Sequence, residues 1–424
     1  MQERLLQFIW QFRYFNFHQL SLTNGMKLEV LHPGILNHHQ GPDFQQAHIR
    51  IDGIIWVGQV ELHIRSSDWF AHAHHRDALY RNVILHVVWE DDIGNHADPV
   101  PVLPLQDRVP KFLLNRYEAW MRSRQFIPCQ SELHKVNGLV LTAWKERLLV
   151  ERLQRKTAMV FSFHNSTRHH WEETFWWMLA RNFGMKVNAD AFESIARTLP
   201  GNLLLRHRNN LMQLEALLLG QANLLDEQFR EEYPRLLKRE YEFYRTKYGL
   251  RSTHMPVYFL RMRPPAFPTI RLAQLAMLLH TTEHLFQQVL ETEKPETVRL
   301  LLNVTASAFW DEHYTLEEKA PPKPKHLGEQ FADNIMLNTI IPVLFAYGCW
   351  KREQQYKDRA IQWLQHLPAE QNSILSKFRL MGTTISTAFE SQALLELKTQ
   401  YCDRKRCLDC AVGNSLISLQ WPPS

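Results

Sequence analysis

Short apolar runs separated by turn residues dominate the first 110 positions of the chain. This pattern predicts a helix over residues 5–15 and a short strand over residues 27–31. Two longer runs, 44–51 and 54–64, flank Asp52-Gly53, a dipeptide typical of tight β-hairpins. We therefore expect these two strands to pair antiparallel.

The segment after the hairpin adds one helix and one strand to the prediction. Residues 75–80 favour a short helix, and residues 83–89 (VILHVVW) form a mostly apolar run. Such a run is typical of a strand that is buried on both faces of a sheet. The order helix, three strands, helix, strand therefore predicts a mixed α/β domain over residues 1–110.

Long helical segments follow from about residue 140 onward, and no repeat of fixed period is found. Glycines such as Gly184 and Gly249 lie where helices are expected to stop. The chain is thus expected to be an α+β protein, in which the α-β-β-β-α-β domain precedes a large all-α domain over residues 111–424. The main predicted helices are 140–163, 172–182, 190–197, 211–225, 231–248, 270–290 and 361–367.

Composition narrows the class of protein. Of 424 residues, 45% are hydrophobic and 22% are charged, a balance that excludes a disordered chain. The net charge of +5 permits nucleic-acid binding without requiring it. The first residues lack the apolar core of a signal peptide, and no stretch approaches the roughly 18 uninterrupted apolar residues of a membrane span. We expect a cytoplasmic protein without a membrane partner.

Histidine is unevenly distributed along the chain. There are 22 histidines, and half of them lie in the first hundred positions. Zinc would accept a set so rich in nitrogen ligands. The histidines of this region are His18, His32, His38, His39, His48, His63, His72, His74, His75, His86 and His96.

Two carboxylates lie near the predicted hairpin. Asp43 is nine positions before Asp52, and Glu61 is eight positions after Gly53, so the two should face each other across the strands. Such a pair can hold Mg²⁺ or Mn²⁺ through oxygen ligands. Because side chains alternate along a strand, His63 should share the face of Glu61. We expect a divalent-metal site here.

The next segment supplies further candidate ligands. His72 and His74 would share one face of an extended chain, and Asp77 follows closely. A purely structural interpretation stays open for each residue: Asp43 would cap a turn, Glu61 would pair with Arg65, and the histidines would bond to the backbone. Convergence of several ionisable groups is nevertheless typical of functional sites.

The five cysteines suit reduced thiols or a metal clamp better than a secreted disulfide framework. Cys402, Cys407 and Cys410 lie within nine residues of one another. Zinc or a four-iron cluster would require a fourth ligand, which Cys349, Cys129 or a histidine can supply. The alternative is that the three cysteines simply pack between helices.

Several motifs resemble those of a bacterial family catalogued as domain of unknown function 2851, over nearly the whole chain. That resemblance implies no activity. The motifs are Gly34-x2-Asn37-x3-Gly41-Pro42-Asp43-Phe44, Trp56-x-Gly58-x-Val60-Glu61-x-His63, Ser67-Asp68-Trp69-x2-His72-x-His74-x2-Asp77-x2-Tyr80, Leu85-His86-Val87-Val88, Arg261-x-Arg263-Pro264 and Phe267-Pro268.

Pro42-Asp43, the hairpin and Glu61-x-His63 also resemble the motif of the PD-(D/E)xK nuclease superfamily, whose α-β-β-β-α-β core has the predicted element order. This resemblance implies metal-dependent hydrolysis of phosphodiester bonds, with both acids binding Mg²⁺. His63 occupies the usual lysine position, where the side chain would activate or position water. The spacing of the terminal cysteines is similar to the clusters of some iron–sulfur DNA-repair glycosylases and certain members of this nuclease superfamily.

The first hypothesis is therefore a metal-dependent nuclease acting on DNA or RNA, with Asp43, Glu61 and His63 as its catalytic residues. His72, His74 and Asp77 would be accessory or additional metal ligands. A second hypothesis is a non-catalytic scaffold that binds nucleic acid or protein and keeps a degenerate nuclease-like core. A third is a zinc hydrolase of small substrates that uses His72, His74 and His86.

Overall fold

The computed structural model describes residues 1–37, 39–94 and 100–419, so His38 and His96 lie outside the described residues. The chain forms two compact units. Unit 1 contains Met1–Trp144 together with the segment from Leu397 onward, and unit 2 is Lys145–Glu396. The cysteine-bearing segment at the end of the chain thus belongs to the same unit as the N-terminal sheet.

The helices confirm the α+β class, since a sheet near the N-terminus is followed by a long succession of helices. They are α1 (Glu3–Gln11), α2 (Asp68–Ala71), α3 (Lys111–Arg122), α4 (Gly138–Ser166), α5 (Trp171–Phe183), α6 (Met185–Thr198), α7 (Gly201–His207), α8 (Leu211–Gln221), α9 (Glu232–Tyr248), α10 (Pro268–Thr281), α11 (Leu285–Glu291), α12 (Pro295–Leu301), α13 (Glu329–Ile335), α14 (Ile341–Lys351), α15 (Gln354–His366), α16 (Ser373–Leu380), α17 (Ala388–Glu396) and α18 (Ala411–Ser418).

One seven-stranded mixed sheet forms the centre of unit 1. Its order is β1-β2-β4-β5-β6-β7, and β3 pairs with β4. The pairs from β1 to β5 are antiparallel, whereas β5–β6 and β6–β7 are parallel. The strands are β1 (Leu20–Ser21), β2 (Lys27–His32), β3 (Ile35–Leu36), β4 (Phe44–Ile51), β5 (Ile54–Arg65), β6 (Val83–Glu90) and β7 (Val102–Pro104).

The predicted hairpin is confirmed, and it contains an irregularity that the sequence does not reveal. Pairing between β4 and β5 shifts by one residue between Ala47, which lies opposite Gly58, and Phe44, which lies opposite Val60. Gln46 lies within this β-bulge and has a positive φ of 56°. The shift brings the residue before Phe44 level with the residue after Val60.

Strand β6 is buried as its apolar run predicts. Its residues Val83 to Val88 are all buried, because the strand lies between β5 and β7. The helix expected over residues 75–80 is instead two single 3₁₀ turns, His74–Arg76 and Ala78–Tyr80, after the short helix α2.

Unit 2 is helical, and its apolar side chains form a common core. Phe175, Trp176 and Trp177 of α5 are at most 9% exposed, so their rings pack inside this core. The helix expected over residues 270–290 divides into α10 and α11, because His284 adopts a left-handed backbone with a φ of 46°.

One continuous helix in unit 2 is long and apolar enough to cross a membrane by length and composition alone. It runs over Glu329–Lys351, and 78% of its most apolar 18-residue window is buried inside the protein. Burial to this extent is what a core helix of a globular domain shows.

Gly58 allows β5 to lie close to the loop that enters β6. A Cβ atom at this position would lie 2.5 Å from Ile84 Cγ2 and 2.7 Å from the Asn82 carbonyl oxygen. We expect Gly58→Ala to lower the free energy of unfolding by about 1–3 kcal/mol through overpacking. Urea denaturation measures the change. Gly138→Ala is the matched control, because its added methyl group meets no neighbouring atom within 4 Å, and an equal effect of both substitutions would contradict the prediction.

Candidate metal centre

Three imidazoles converge in unit 1. His63 lies on β5, His72 directly follows α2, and His74 begins a 3₁₀ turn. One ring nitrogen from each lies within 4.8 Å of the other two, which makes the trio the only such group of potential metal ligands among the described residues.

Glu61 lies against two members of the trio, His63 and His74. Its Oε1 is 3.6 Å from His63 Nε2 and 3.5 Å from His74 Nε2, while His63 Nε2 is 3.2 Å from His72 Nδ1. Zinc binds nitrogen and oxygen ligands at about 2.0–2.2 Å, which places tetrahedral ligands roughly 3.3–3.5 Å apart. The three imidazoles are therefore close enough to share one ion, and Glu61 lies beside two of them as a further possible ligand.

The loop after β5 brings the two later histidines to the strand. Ala73, between His72 and His74, has a left-handed backbone that reverses the chain. The Tyr80 ring stacks on the His74 ring with centroids 3.8 Å apart, and the buried Trp69 ring lies 5.5 Å from His74. These aromatic contacts fix the orientation of the His74 ring.

His86 supports His63 from the neighbouring strand. In the parallel register of β5 and β6, His86 lies level with Glu61. Its Nε2 is 2.9 Å from His63 Nδ1, so that one ring nitrogen of His63 is occupied and the other faces the cluster. A hydrogen bond to the second ring nitrogen is the usual way in which proteins orient a metal-binding histidine.

Asp43 holds Glu61 in place. Its backbone N–H donates to Glu61 Oε2 at 3.0 Å, and its Oδ2 accepts from the Leu62 N–H at 3.1 Å. Its other oxygen accepts from Gln7 of α1 at 2.8 Å. Asn37 closes the preceding loop, because its N–H donates to the Asp43 carbonyl oxygen at 2.7 Å.

Burial dominates the electrostatics of these groups. Burial raises the pKa of Asp43 to about 7, and the nearby Glu3 adds to this rise. Burial also raises the pKa of Glu61 to about 8, and here Asp43 adds to the rise. Burial, together with His86, His74 and His72, lowers the pKa of His63 to about 3. His63 is therefore a neutral imidazole at physiological pH, the form that binds a metal.

The cluster reaches solvent on one side. Glu61 and His63 are 5% and 2% exposed, His74 is partly buried, and His72 is exposed. A ligand bound by all four side chains would thus have its innermost contacts buried and its outer side open to small molecules.

The structure separates the predicted site residues into several groups. Glu61, His63, His72 and His74 come together, and Asp43 bonds to Glu61 from beside the cluster. Asp77 is outside this group, since its carboxylate accepts from the Leu79 N–H and caps a turn. Cys402, Cys407 and Cys410 form a different part of unit 1.

Sequence reasoning missed several contributors to this centre. Gln7, Trp69 and Tyr80 were not considered as site residues, although Trp69 and Tyr80 belong to the motif that contains His72 and His74. The proposed pairing of Glu61 with Arg65 is replaced by contacts with His63 and His74. His86 serves the cluster by its bond to His63.

The buried carboxyl groups give a test by pH. Because the folded-state pKa of Glu61 lies above its value of about 4.3 in an unfolded chain, the folded protein binds more protons, and stability falls as pH rises from about 4 to 8. Each such proton contributes a slope of at most about 1.4 kcal/mol per pH unit. We expect Glu61→Gln to make this decline shallower in chelator-treated protein, as measured by urea unfolding between pH 5 and 8.

The control for this experiment is Glu90→Gln, which removes an exposed carboxylate at the end of β6. Its pH dependence should follow that of the unmodified protein. Parallel curves for the unmodified protein and Glu61→Gln would show that the buried carboxyl does not hold its proton in this range.

Comparison with known proteins identifies the family of the chain but not its activity. No curated protein and no solved structure matches the chain. The resemblance to the PD-(D/E)xK superfamily is not confirmed by these comparisons. The sequence model of the family described as Protein of unknown function (DUF2851) matches residues 3–373, which is most of the chain, and the protein therefore belongs to that family.

Proposed function

We propose that the protein is a metal-dependent hydrolase of phosphodiester bonds in nucleic acid, with the ion held by Glu61, His63, His72 and His74. The observation that carries the proposal is the convergence of His63, His72 and His74, whose ligand atoms lie within 4.8 Å of one another, with Glu61 3.5–3.6 Å from His74 and His63. Glu61 and His63 are buried and His72 is exposed, so an ion bound here would be held from below and would remain accessible to a substrate.

The donor set favours zinc or manganese over magnesium. Magnesium prefers a shell of oxygen ligands, whereas imidazole suits the borderline transition metals. Three of the four donors here are imidazole nitrogens. The proposal therefore departs from the two-carboxylate magnesium site expected from sequence, in which His63 was to position the water.

The residues around the site would have distinct roles in binding the ion and orienting its ligands. A bound divalent ion would supply Lewis-acid stabilisation of the phosphate and lower the pKa of an attacking water. Glu61 and the three histidines would hold that ion, and His86 would fix the ring of His63. Asp43 would keep Glu61 in position through its backbone N–H and is a positioning residue.

Two arginines on the loop that carries His72 and His74 are available to contact an anionic substrate. Arg76 and Arg81 are exposed on the same loop that carries His72 and His74. Exposed arginines attract and orient phosphate groups by charge-assisted hydrogen bonds. DNA or RNA is the substrate class that combines these charges with the resemblance to nucleases.

The direct test is a cleavage assay on single- and double-stranded DNA and RNA with Zn²⁺, Mn²⁺ or Mg²⁺ added to chelator-treated protein. We expect Glu61→Gln and His74→Asn each to lower the cleavage rate by at least about 100-fold, beyond the 10- to 100-fold typical of residues that only support a ligand. His48→Asn should retain activity, because His48 is an exposed histidine of β4 outside the cluster.

Failure to cleave any of these nucleic acids with any of the three ions would refute the proposed activity. Nucleic-acid binding that is unchanged by Glu61→Gln, without cleavage, would favour the scaffold hypothesis. Cleavage of small esters or amides alone would favour the zinc hydrolase of small substrates.

Metal content provides a test that does not depend on the substrate. We expect His72→Asn and His74→Asn to contain about one equivalent less zinc or manganese than the unmodified protein, because each removes one ligand of the proposed site. Elemental analysis after dialysis measures the difference. His48→Asn is again the control, and equal metal content in all variants would place the metal elsewhere.

A further inference from the structure

Four cysteines from separate parts of the sequence meet in unit 1. Cys129 precedes the 3₁₀ turn Gln130–Lys135, and Cys402 ends a π-helical segment. Cys407 begins the 3₁₀ turn Cys407–Asp409, and Cys410 directly precedes α18. Every pair of these thiols lies within range of direct electrostatic interaction. The three terminal cysteines thus have a fourth partner that is distant in sequence.

Contacts around the thiols hold these segments together. Arg116 of α3 pairs with Glu132 at 3.4 Å, in the turn that follows Cys129. The same arginine donates to the Leu416 carbonyl oxygen of α18 at 2.6 Å. Arg116 therefore connects the segment of Cys129 to the helix that begins after Cys410.

The backbone of Gly413 lies close to that of Cys407, and this contact fixes the position of Cys407 relative to Cys410. A Cβ atom at position 413 would lie only 2.2 Å from the Cys407 carbonyl oxygen, so Gly413 is required where α18 meets the preceding turn. The position of Cys407 relative to Cys410 is thereby set by packing of the main chain.

Burial raises the pKa of the Cys410 thiol, whereas the neighbouring backbone N–H groups of Val412 and Gly413 act in the opposite direction. Lys398 and Lys405 lie within electrostatic range of Cys402 and Cys407, respectively. Hydrogen bonds and cations of this kind stabilise metal-bound sulfur and offset the negative charge of a thiolate site.

The four thiols are free, and their separation decides between the candidate occupants. Among the described residues, no three cysteine sulfurs lie within 4.8 Å of one another. Four sulfurs around one zinc ion would be about 3.8 Å apart, because each Zn–S bond is about 2.3 Å. A wider set of four thiols fits a four-iron cluster, in which each sulfur binds a different iron.

We infer that Cys129, Cys402, Cys407 and Cys410 together bind a [4Fe–4S] cluster. Formation of the site replaces four S–H bonds by four S–Fe bonds and releases four protons, with iron and sulfide supplied by cluster assembly. The alternative fourth ligand considered from sequence, Cys349, lies on α14 of unit 2. Cys129 takes that role.

The [4Fe–4S] cluster would hold the C-terminal segment close to the beginning of the chain. Asn414 of α18 accepts from the Tyr14 hydroxyl at 2.7 Å, and Arg4 of α1 pairs with Asp409 beside Cys410. Helix α1 also provides Gln7, which bonds to Asp43. Cluster loss should therefore loosen the support of the histidine cluster as well as the terminal helix.

The test is to purify the full-length protein without oxygen and to determine its iron and acid-labile sulfide. We expect about four of each per chain, and a Mössbauer spectrum typical of a [4Fe–4S] cluster. Cys129→Ser and Cys410→Ser should each lose most of the iron. Cys349→Ser is the matched control and should retain it.

Two results obtained on the unmodified protein would overturn the inference without depending on the folding of a variant. One is zinc in place of iron at the four cysteines. The other is the absence of iron after anaerobic reconstitution with iron and sulfide. Full iron content in a folded Cys129→Ser protein would also overturn it. None of these readouts uses nuclease activity, so the inference and the proposed function fail separately.

Discussion

The parallel pairing of β5 with β6 is the constraint on which the candidate metal centre depends. It places His86 level with Glu61 and within hydrogen-bond distance of His63. Since β6 is buried on both faces, neither strand can shift along the other without exposing apolar side chains. The floor of the site is therefore as rigid as the core of the sheet.

The upper side of the centre depends on a different element, the loop between β5 and β6. A parallel connection must cross over the sheet, and here the crossover contains α2 and two 3₁₀ turns. The buried Trp69 anchors the loop to the sheet, and Tyr80 stacks on His74. A rigid strand and an anchored loop thus bring potential ligands to one point, which is the arrangement that a precise metal site requires.

Burial gives the cluster a nearly neutral resting state. The same desolvation raises the pKa of Glu61 and lowers the pKa of His63, because it disfavours the charged form of either group. The cluster can thus be packed without a large net charge. A divalent cation would reverse this balance, since it favours the carboxylate and binds the neutral imidazoles.

Much of the fold was readable from sequence because it depends on local patterns. Alternation and Asp52-Gly53 predicted the β4–β5 hairpin, a continuous apolar run predicted β6, and the spacing of Glu61 and His63 placed both on one face. Each of these features arises from backbone geometry that a few neighbouring residues determine.

The tertiary structure alone decided which distant groups meet. The bulge at Gln46 sets the register of Asp43 against Glu61, and the left-handed Ala73 turns His74 toward His63. Cys129 joins Cys402 only because the end of the chain returns to unit 1. Such contacts depend on packing between segments far apart in sequence, so periodicity carried no information about them.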